Sequence, residues 1–321
     1  MPSKYIGIGG NGMVLNNVLE AIGSTPLIRL NRLTGPDDAD VLVKFEGVNI
    51  GGSIKTRSAY NMINEARRRG ELAEDSIIVE PTSGNQGIGL ALVGAVFGYQ
   101  VRLIMPDSVS EERKKILEAY GAEVVMIHDD GDIGACIEAC LQTAVDFAEA
   151  DPRVYVPQQF VNPANTDIHR TGTAREILDD VGGPVDGFCC GIGTGGTLTG
   201  VGEVLRDKNP DVLIWAVEPE NAAILSGKTV TTHLQMGIGD GLIPDNLNTR
   251  IYSDIAIVSD EEALLCAQNL ARQEGILCGI TSGTNVVAAL RMAKILGKGK
   301  KVVTILPDTG ERYFSTPLYK N

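Results

Sequence analysis

The sequence predicts an α/β protein made of two three-layer halves, each with a mainly parallel sheet, facing one another across a crevice. Two observations carry that prediction. Between residues 41 and 127 apolar strand-like runs alternate with helical periodicity, and a second alternating set runs from 185 onward. Such alternation implies parallel strands joined by crossover helices. Glycine-, serine- and threonine-rich junctions also recur where a strand gives way to a helix, at 51–57, 81–87 and 191–197. Ligands of such sheets bind beyond the C-terminal strand ends.

In chain order, the run Gly7-Ile8-Gly9-Gly10-Asn11-Gly12 superficially matches a dinucleotide-binding loop. No strand precedes it and no acidic residue follows at the required distance, so it reads as a leader. Residues 18–22 read as a short helix stopped by Gly23, and 25–30 as a turn into an extended segment. A strand at 41–46 leads to a helix beginning near Ser58, with Ala59, Met62, Ile63 and Ala66 on its buried face. Strands at 77–80, 101–105 and 124–127 enclose a helix after Asn85 and another at 111–120. A helix with Ile133, Ile137 and Leu141 as its apolar face follows, and Asp151-Pro152 marks a break. The second half has strands at 185–190, 213–217, 255–258 and 302–306, and a helix starting near Asn285.

Composition narrows the function. The chain has 321 residues, 43% of them hydrophobic, and a formal net charge of -13. That acidic balance argues against nucleic acid, which requires a basic surface, and against acidic membranes. No apolar run approaches the roughly 20 residues that span a bilayer, and no secretory signal pattern opens the chain, so a cytoplasmic location is expected. The six cysteines form no CxxC pair and the three histidines no cluster, which predicts buried free thiols and no metal site.

Four stretches could carry chemistry. Lys55 sits where a strand passes into a helix; partly withdrawn from water, its amine would be neutral enough to form a Schiff base, the alternative being a lysine facing solvent. Pro81-Thr82-Ser83-Gly84-Asn85-Gln86-Gly87 offers amides and hydroxyls to a carboxylate, or is simply a helix cap. Gly191-Ile192-Gly193-Thr194-Gly195-Gly196-Thr197 lets main chain approach a phosphate at a helix N-terminus. It lacks a P-loop lysine and the acidic residue of a nicotinamide fingerprint, so a small phosphate ester suits it better than a dinucleotide. In 279–284, Thr281 or Ser282 could present a hydroxyl to a heterocycle nitrogen.

Together these residues resemble the pyridoxal-phosphate enzymes of the tryptophan-synthase β fold type (fold type II), and within them the cysteine synthase (O-acetylserine sulfhydrylase) and cystathionine β-synthase family. The similarity extends from Ile22-Gly23-Ser24-Thr25-Pro26-Leu27 through Gln158-Gln159-Phe160-Val161-Asn162-Pro163 to Leu306-Pro307-Asp308-Thr309-Gly310-Glu311-Arg312-Tyr313. The resemblance implies a larger cofactor domain of residues 1–45 plus 158–321, and a smaller mobile domain of 46–157. It implies pyridoxal 5'-phosphate in Schiff-base linkage to Lys55, with Asn85 on its phenolic oxygen and Ser282 at its ring nitrogen. The phosphate would rest on Gly193, Thr194, Gly195, Gly196 and Thr197. The amino-acid carboxylate would meet Thr82, Ser83, Gly84, Gln86, Gln159 and Gly237. A hydroxyl cannot hold the ring nitrogen protonated as a carboxylate would, which favours β-elimination over transamination.

The family's expected activity is β-replacement on an activated serine, with Lys55 taking the α-proton and a small nucleophile such as sulfide completing the reaction. The family also implies a homodimer and serine acetyltransferase as a partner. Three positions depart from its pattern. Ile50 stands for a proline, Thr56 for an acidic residue, and Asp240, in Gly237-Ile238-Gly239-Asp240-Gly241, for an alanine. A carboxylate at 240 could orient water or an amine or repel anionic sulfide, or it is a surface residue. Sulfide release from cysteine, lanthionine or serine formation, and a diaminopropionate-type synthesis therefore stay open beside cysteine synthesis. A nicotinamide oxidoreductase is the alternative outside pyridoxal chemistry, and a chain ending at Asn321 leaves little room for an added regulatory domain.

Overall fold

The computed structural model describes residues 14–82, 84–107, 109, 111–129 and 133–319; Ser83 and the 7–12 glycine run lie outside them. The strands in chain order are β1 (Leu27–Arg29), β2 (Asp40–Phe45), β3 (Ile77–Pro81), β4 (Gln100–Pro106), β5 (Glu123–Ile127), β6 (Val154–Tyr155), β7 (Gly187–Gly191), β8 (Leu213–Pro219), β9 (Asp254–Val258) and β10 (Lys301–Leu306). The helices are α1 (Lys55–Arg68), α2 (Asn85–Phe97), α3 (Glu111–Ala119), α4 (Ile133–Ala150), α5 (Pro163–Ile168), α6 (Ala174–Val181), α7 (Gly196–Lys208), α8 (Asp260–Asn269) and α9 (Ile280–Leu296). Two sheets result, one in the order β1-β2-β10-β7-β8-β9 and one in the order β5-β4-β3-β6. Every pairing is parallel except that of β1 with β2.

Period-two alternation makes each sheet the middle of three layers. In β10, Val302 and Leu306 point into a core formed with α8 and α9, while Val303 and Ile305 point into one formed with α6 and α7. In the smaller sheet Ile78, Leu103 and Met105 face α1 and α2, and Ile77, Val79 and Ile104 face α4. The chain leaves the large sheet after β2, builds the small one, and returns through α5.

Three elements depart from the sequence reading. Helix α1 starts at Lys55 rather than near Ser58, and α9 at Ile280 rather than near Asn285. In α9 the β-branched Ile280 and Thr281 and then Gly283 make the first turn a weak helix former, so packing decides. A Cβ on Gly283 would lie 2.0 Å from Ala263 O on α8, Thr281 Oγ1 donates to Met236 O at 2.8 Å, and Thr284 Oγ1 donates to Gln235 Oε1 at 2.8 Å. In α4, Leu141 is 49% exposed, and the buried face is instead Cys136, Cys140 and Ala144. Small side chains let this helix lie close to β3 and β4. All six cysteines are free and buried, as expected. Among the described residues no group of side chains could hold a metal ion, and no helix is long and apolar enough to cross a membrane.

Candidate active site

The C-terminal ends of β2, β3, β7 and β10 converge, and the candidate residues lie on the segments just beyond them. After β2 the chain turns through Gly51 (φ 76°) and Gly52 (φ 70°), a left-handed pair that side chains rarely adopt. A Cβ on Gly51 would lie 2.6 Å from Thr56 Oγ1, and one on Gly52 2.6 Å from Arg312 Nη2. Beyond this turn Ile54 N–H donates to Pro307 O at 2.8 Å, stitching the start of α1 to the end of β10.

Arg57 locks the same turn from below. Its guanidinium, 2% exposed, donates to both carboxylate oxygens of Glu46 at 2.8 and 2.9 Å and to both of Glu176 at 2.7 Å. Lys44, fully buried, adds a second cation 3.0 Å from Glu176. Breaking such a buried set by removing one partner costs about 3–5 kcal/mol, so Lys55, two residues from Arg57, is held on a rigid base. The residue is partly buried, and burial lowers its pKa against the opposing pull of Asp240 and Cys190. His169, buried and near Arg57 and Lys55, is held neutral.

After β7 comes the glycine run. A Cβ on Gly193 would stand 2.4 Å from Gly237 O, one on Gly195 2.9 Å from Leu247 N, and one on Gly196 2.6 Å from Asn165 Oδ1. The main chain is thus drawn into a tight cup at the N-terminus of α7, where orphan amides favour an anion. Thr194 Oγ1 accepts from Asn165 Nδ2 at 3.0 Å, and Thr197 Oγ1 lies 3.3 Å from His169 Nε2. The 237–241 loop covers the cup, and a Cβ on Gly193 would be 3.7 Å from Asp240 Oδ2. Asp240 is an exposed residue whose Oδ2 lies near Gly193. Burial raises its carboxyl, with Lys55 and then His233 pulling the opposite way. The structure therefore brings Lys55, Gly193, Gly237 and Asp240 to one place.

The remaining predicted residues divide. Ser282, in the first turn of α9, is fully buried, and among the described residues its Oγ has only the weak thiol of Cys278 beside it. Thr82 Oγ1 accepts from Gly84 N–H at 3.4 Å, just ahead of α2. Gln159 uses its main chain on Glu80, Asn165 and Asn246, which leaves its side-chain amide uncommitted. Two of the expected residues have side-chain atoms engaged elsewhere. Gln86 is not on the loop surface: it is 2% exposed between α1 and α2, its Oε1 taken by Ser58 Oγ at 2.9 Å. Asn85 is tied to the end of β10, with Nδ2 donating to Asp308 Oδ2 at 2.6 Å and Oδ1 accepting from Arg312. Asp308 and Arg312 are site residues that residue-by-residue reading passed over, although they lie in the 306–313 run. Arg113, with Nη1 4.0 Å from a Cβ built on Gly84, is another.

The residues present fit an aldehyde phosphate cofactor. Lys55 has an amine biased toward its neutral form, the 193–197 cup leaves no space for Cβ atoms at Gly193, Gly195 or Gly196, and the buried Ser282 hydroxyl has no strong partner of its own. A separate surface cavity of about 430 Å³ around Arg175, Asp179 and Lys208 holds none of these groups.

At the C-terminal edge of the larger sheet an amine stands beyond β2 and a glycine cup beyond β7, an arrangement that suits a phosphorylated aldehyde cofactor. The chain belongs to the pyridoxal-phosphate dependent enzymes, whose family model matches residues 18–308. It is 45% identical over 306 residues to a cysteine synthase of Staphylococcus aureus, covering 95% of this chain and 97% of that protein. Among solved structures, a cysteine synthase of Entamoeba histolytica superposes with a TM-score of 0.91 at 37% identity, covering 99% of this chain and 95% of that one. A hydrogen sulfide-producing enzyme of Fusobacterium nucleatum superposes with a TM-score of 0.88 at 38% identity, covering 94% and 100%.

Proposed function

We propose that this protein catalyses β-replacement on an activated L-serine, making cysteine from O-acetylserine and sulfide. The observation that supports the reading is the buried Ser282 hydroxyl in the first turn of α9, one residue beyond Thr281, which donates to Met236 O at the edge of the 237–241 loop. A hydroxyl there suits a ring nitrogen left unprotonated, the condition under which elimination and replacement outrun transamination. Bound pyridoxal phosphate supplies an electron sink for the substrate α-carbon. Lys55 would anchor the cofactor and would serve as the base for the α-proton; burial lowers its pKa, which suits that role. The 193–197 amides and the hydroxyls of Thr194 and Thr197 hold the phosphate. Thr82, Ser83, Gly84 and Gln159 receive the substrate carboxylate, with Gln86 contributing only main chain. Residues 46–157 form the smaller domain, which closes over residues 1–45 and 158–321 when substrate binds. The protein acts in the cytoplasm as a homodimer, with serine acetyltransferase as a partner.

Asp240 favours a second reading. A carboxylate beside Lys55 and the cup can orient water or an amine and repel anionic sulfide, so the same first half-reaction would run on cysteine and release sulfide. The purified protein is expected to show a visible cofactor band that Lys55→Ala abolishes, with activity lost by roughly a thousandfold or more. Sulfide uptake from O-acetylserine and sulfide release from cysteine are then measured on one preparation. Uptake dominant in the wild type supports the first reading. Release dominant, and reversed by Asp240→Ala, supports the second.

A further inference from the structure

Glu80 has no part in the roles above. It is the penultimate residue of β3, directly ahead of the substrate loop, and 2% exposed. Among the described residues no cation pairs with it. Two consecutive main-chain donors hold it instead, Gln158 N–H on Oε2 and Gln159 N–H on Oε1, each at 3.1 Å. Successive amides that converge on one anion form a nest, which places one residue in the left-handed region. Gln158 is that residue, with φ 57°. A side chain there is held by its surroundings rather than by preference.

From the nest the connection continues toward the cup. Gln159 O accepts from Asn165 Nδ2 at 2.7 Å and from Asn246 Nδ2 at 2.9 Å, and Asn165 Nδ2 also donates to Thr194 Oγ1 at 3.0 Å. Both main-chain groups of Gln159 are pinned while its side-chain amide stays free. We propose that Glu80 is a positioning residue for the substrate: its carboxylate holds the left-handed Gln158–Gln159 turn and thereby aims the Gln159 amide at the substrate carboxylate. This inference rests on the amino-acid substrate proposed above.

A carboxylate suits the task because two donors need two acceptor oxygens, and a glutamine has one. Burial raises the Glu80 pKa to about 7, with the two amides pulling it down. On the flanking strands its register partner is the apolar Leu103 of β4, and Tyr155 of β6 is the titratable neighbour that feels its charge. The nest is therefore strongest above neutral pH.

Calorimetry on the holoenzyme at pH 8, with L-serine and L-serine methyl ester as probes, tests this without depending on turnover. Glu80→Gln is expected to weaken L-serine about tenfold, the loss of one charge-assisted hydrogen bond, and to leave the ester unchanged. Adding Gln158→Gly, which removes the left-handed penalty, should recover several-fold. The gap between wild type and variant should close as pH falls through 7. Equal L-serine affinity in both proteins overturns the proposal, as do equal losses for acid and ester or no recovery with glycine. Should Glu80→Gln not fold, Gln158→Gly alone must flatten the pH dependence of L-serine binding near 7; an unchanged profile overturns the proposal. A wild type that binds no L-serine overturns the amino-acid reading as well, which separates the two failures.

Discussion

The junctions from β7 into α7 and from β3 into α2 are built alike, a strand end, a glycine-containing turn and a helix N-terminus, yet they are held differently. The β7 turn is closely packed: Cβ atoms at Gly193, Gly195 and Gly196 would each come within 3 Å of Gly237, Leu247 or Asn165. At the β3 turn, among the described residues a Cβ on Gly84 meets only Arg113 Nη1, at 4.0 Å. Its order comes from distant side chains, Glu80 on the 158–159 turn and Asp308 and Arg312 on Asn85. A phosphate has the same shape in every substrate complex, and rigid backbone serves it. The amino-acid side must admit, release and discriminate, and adjustable side chains serve that.

The widest gap between the two junctions is expected from Gly193→Ala against Gly84→Ala. The first forces a methyl group to within 2.4 Å of Gly237 O, and backbone must give. Overpacking of this kind costs about 1–3 kcal/mol, so cofactor affinity should fall roughly 10- to 100-fold. Gly84→Ala should change cofactor affinity by less than about threefold. Cofactor titration followed by absorbance measures both, and equal losses would erase the distinction.

Glu80 gives the next effect, with opposite signs for stability and binding. Its folded pKa of about 7 lies above the ordinary carboxylate value of 4.5. The folded protein therefore binds its proton more tightly, and this stabilising contribution is complete below about 4.5. It is lost as pH rises through 7, so at pH 8 the ionised group costs the fold on the order of 3 kcal/mol. Urea unfolding of wild type and Glu80→Gln at pH 5.5 and 8 should show the wild type losing ground to the variant as pH rises, while its affinity for L-serine gains. A difference independent of pH would mean that Glu80 is not ionised in this range.

The same contrast explains why some features were legible in the sequence and others were not. The cup could be read because its signal is local: consecutive glycines and threonines between an apolar strand and a helix need no distant partner. Lys55 could be placed for the same reason, and the parallel architecture followed from alternation along the chain. The roles of Glu80, Arg113, Asp308 and Arg312 could not be read, because each depends on a neighbour far away in sequence, such as the 227-residue separation between Asn85 and Arg312. The early start of α9 was missed likewise, since tertiary packing overrode weak helix formers. Leu141 misled because its spacing suited a buried face that Cys136, Cys140 and Ala144 fill.

The smallest expected effect compares two orphaned hydroxyls, one assigned to the cofactor and one not. Among the described residues Ser282 Oγ and Thr56 Oγ1 are both buried without a strong partner, Ser282 having only the weak Cys278 thiol beside it. Leaving such a group unsatisfied costs on the order of 1 kcal/mol or more, so Ser282→Ala and Thr56→Val should each stabilise the cofactor-free protein by about 1 kcal/mol. With cofactor bound the two must diverge. If Ser282 meets the ring nitrogen, its removal discards a hydrogen bond that forms only in the holoenzyme, and cofactor affinity should fall by a few-fold, whereas Thr56→Val leaves it unchanged. Urea unfolding with and without cofactor reads both quantities. A gain for Ser282→Ala that persists undiminished in the holoenzyme would place that hydroxyl outside the cofactor's reach.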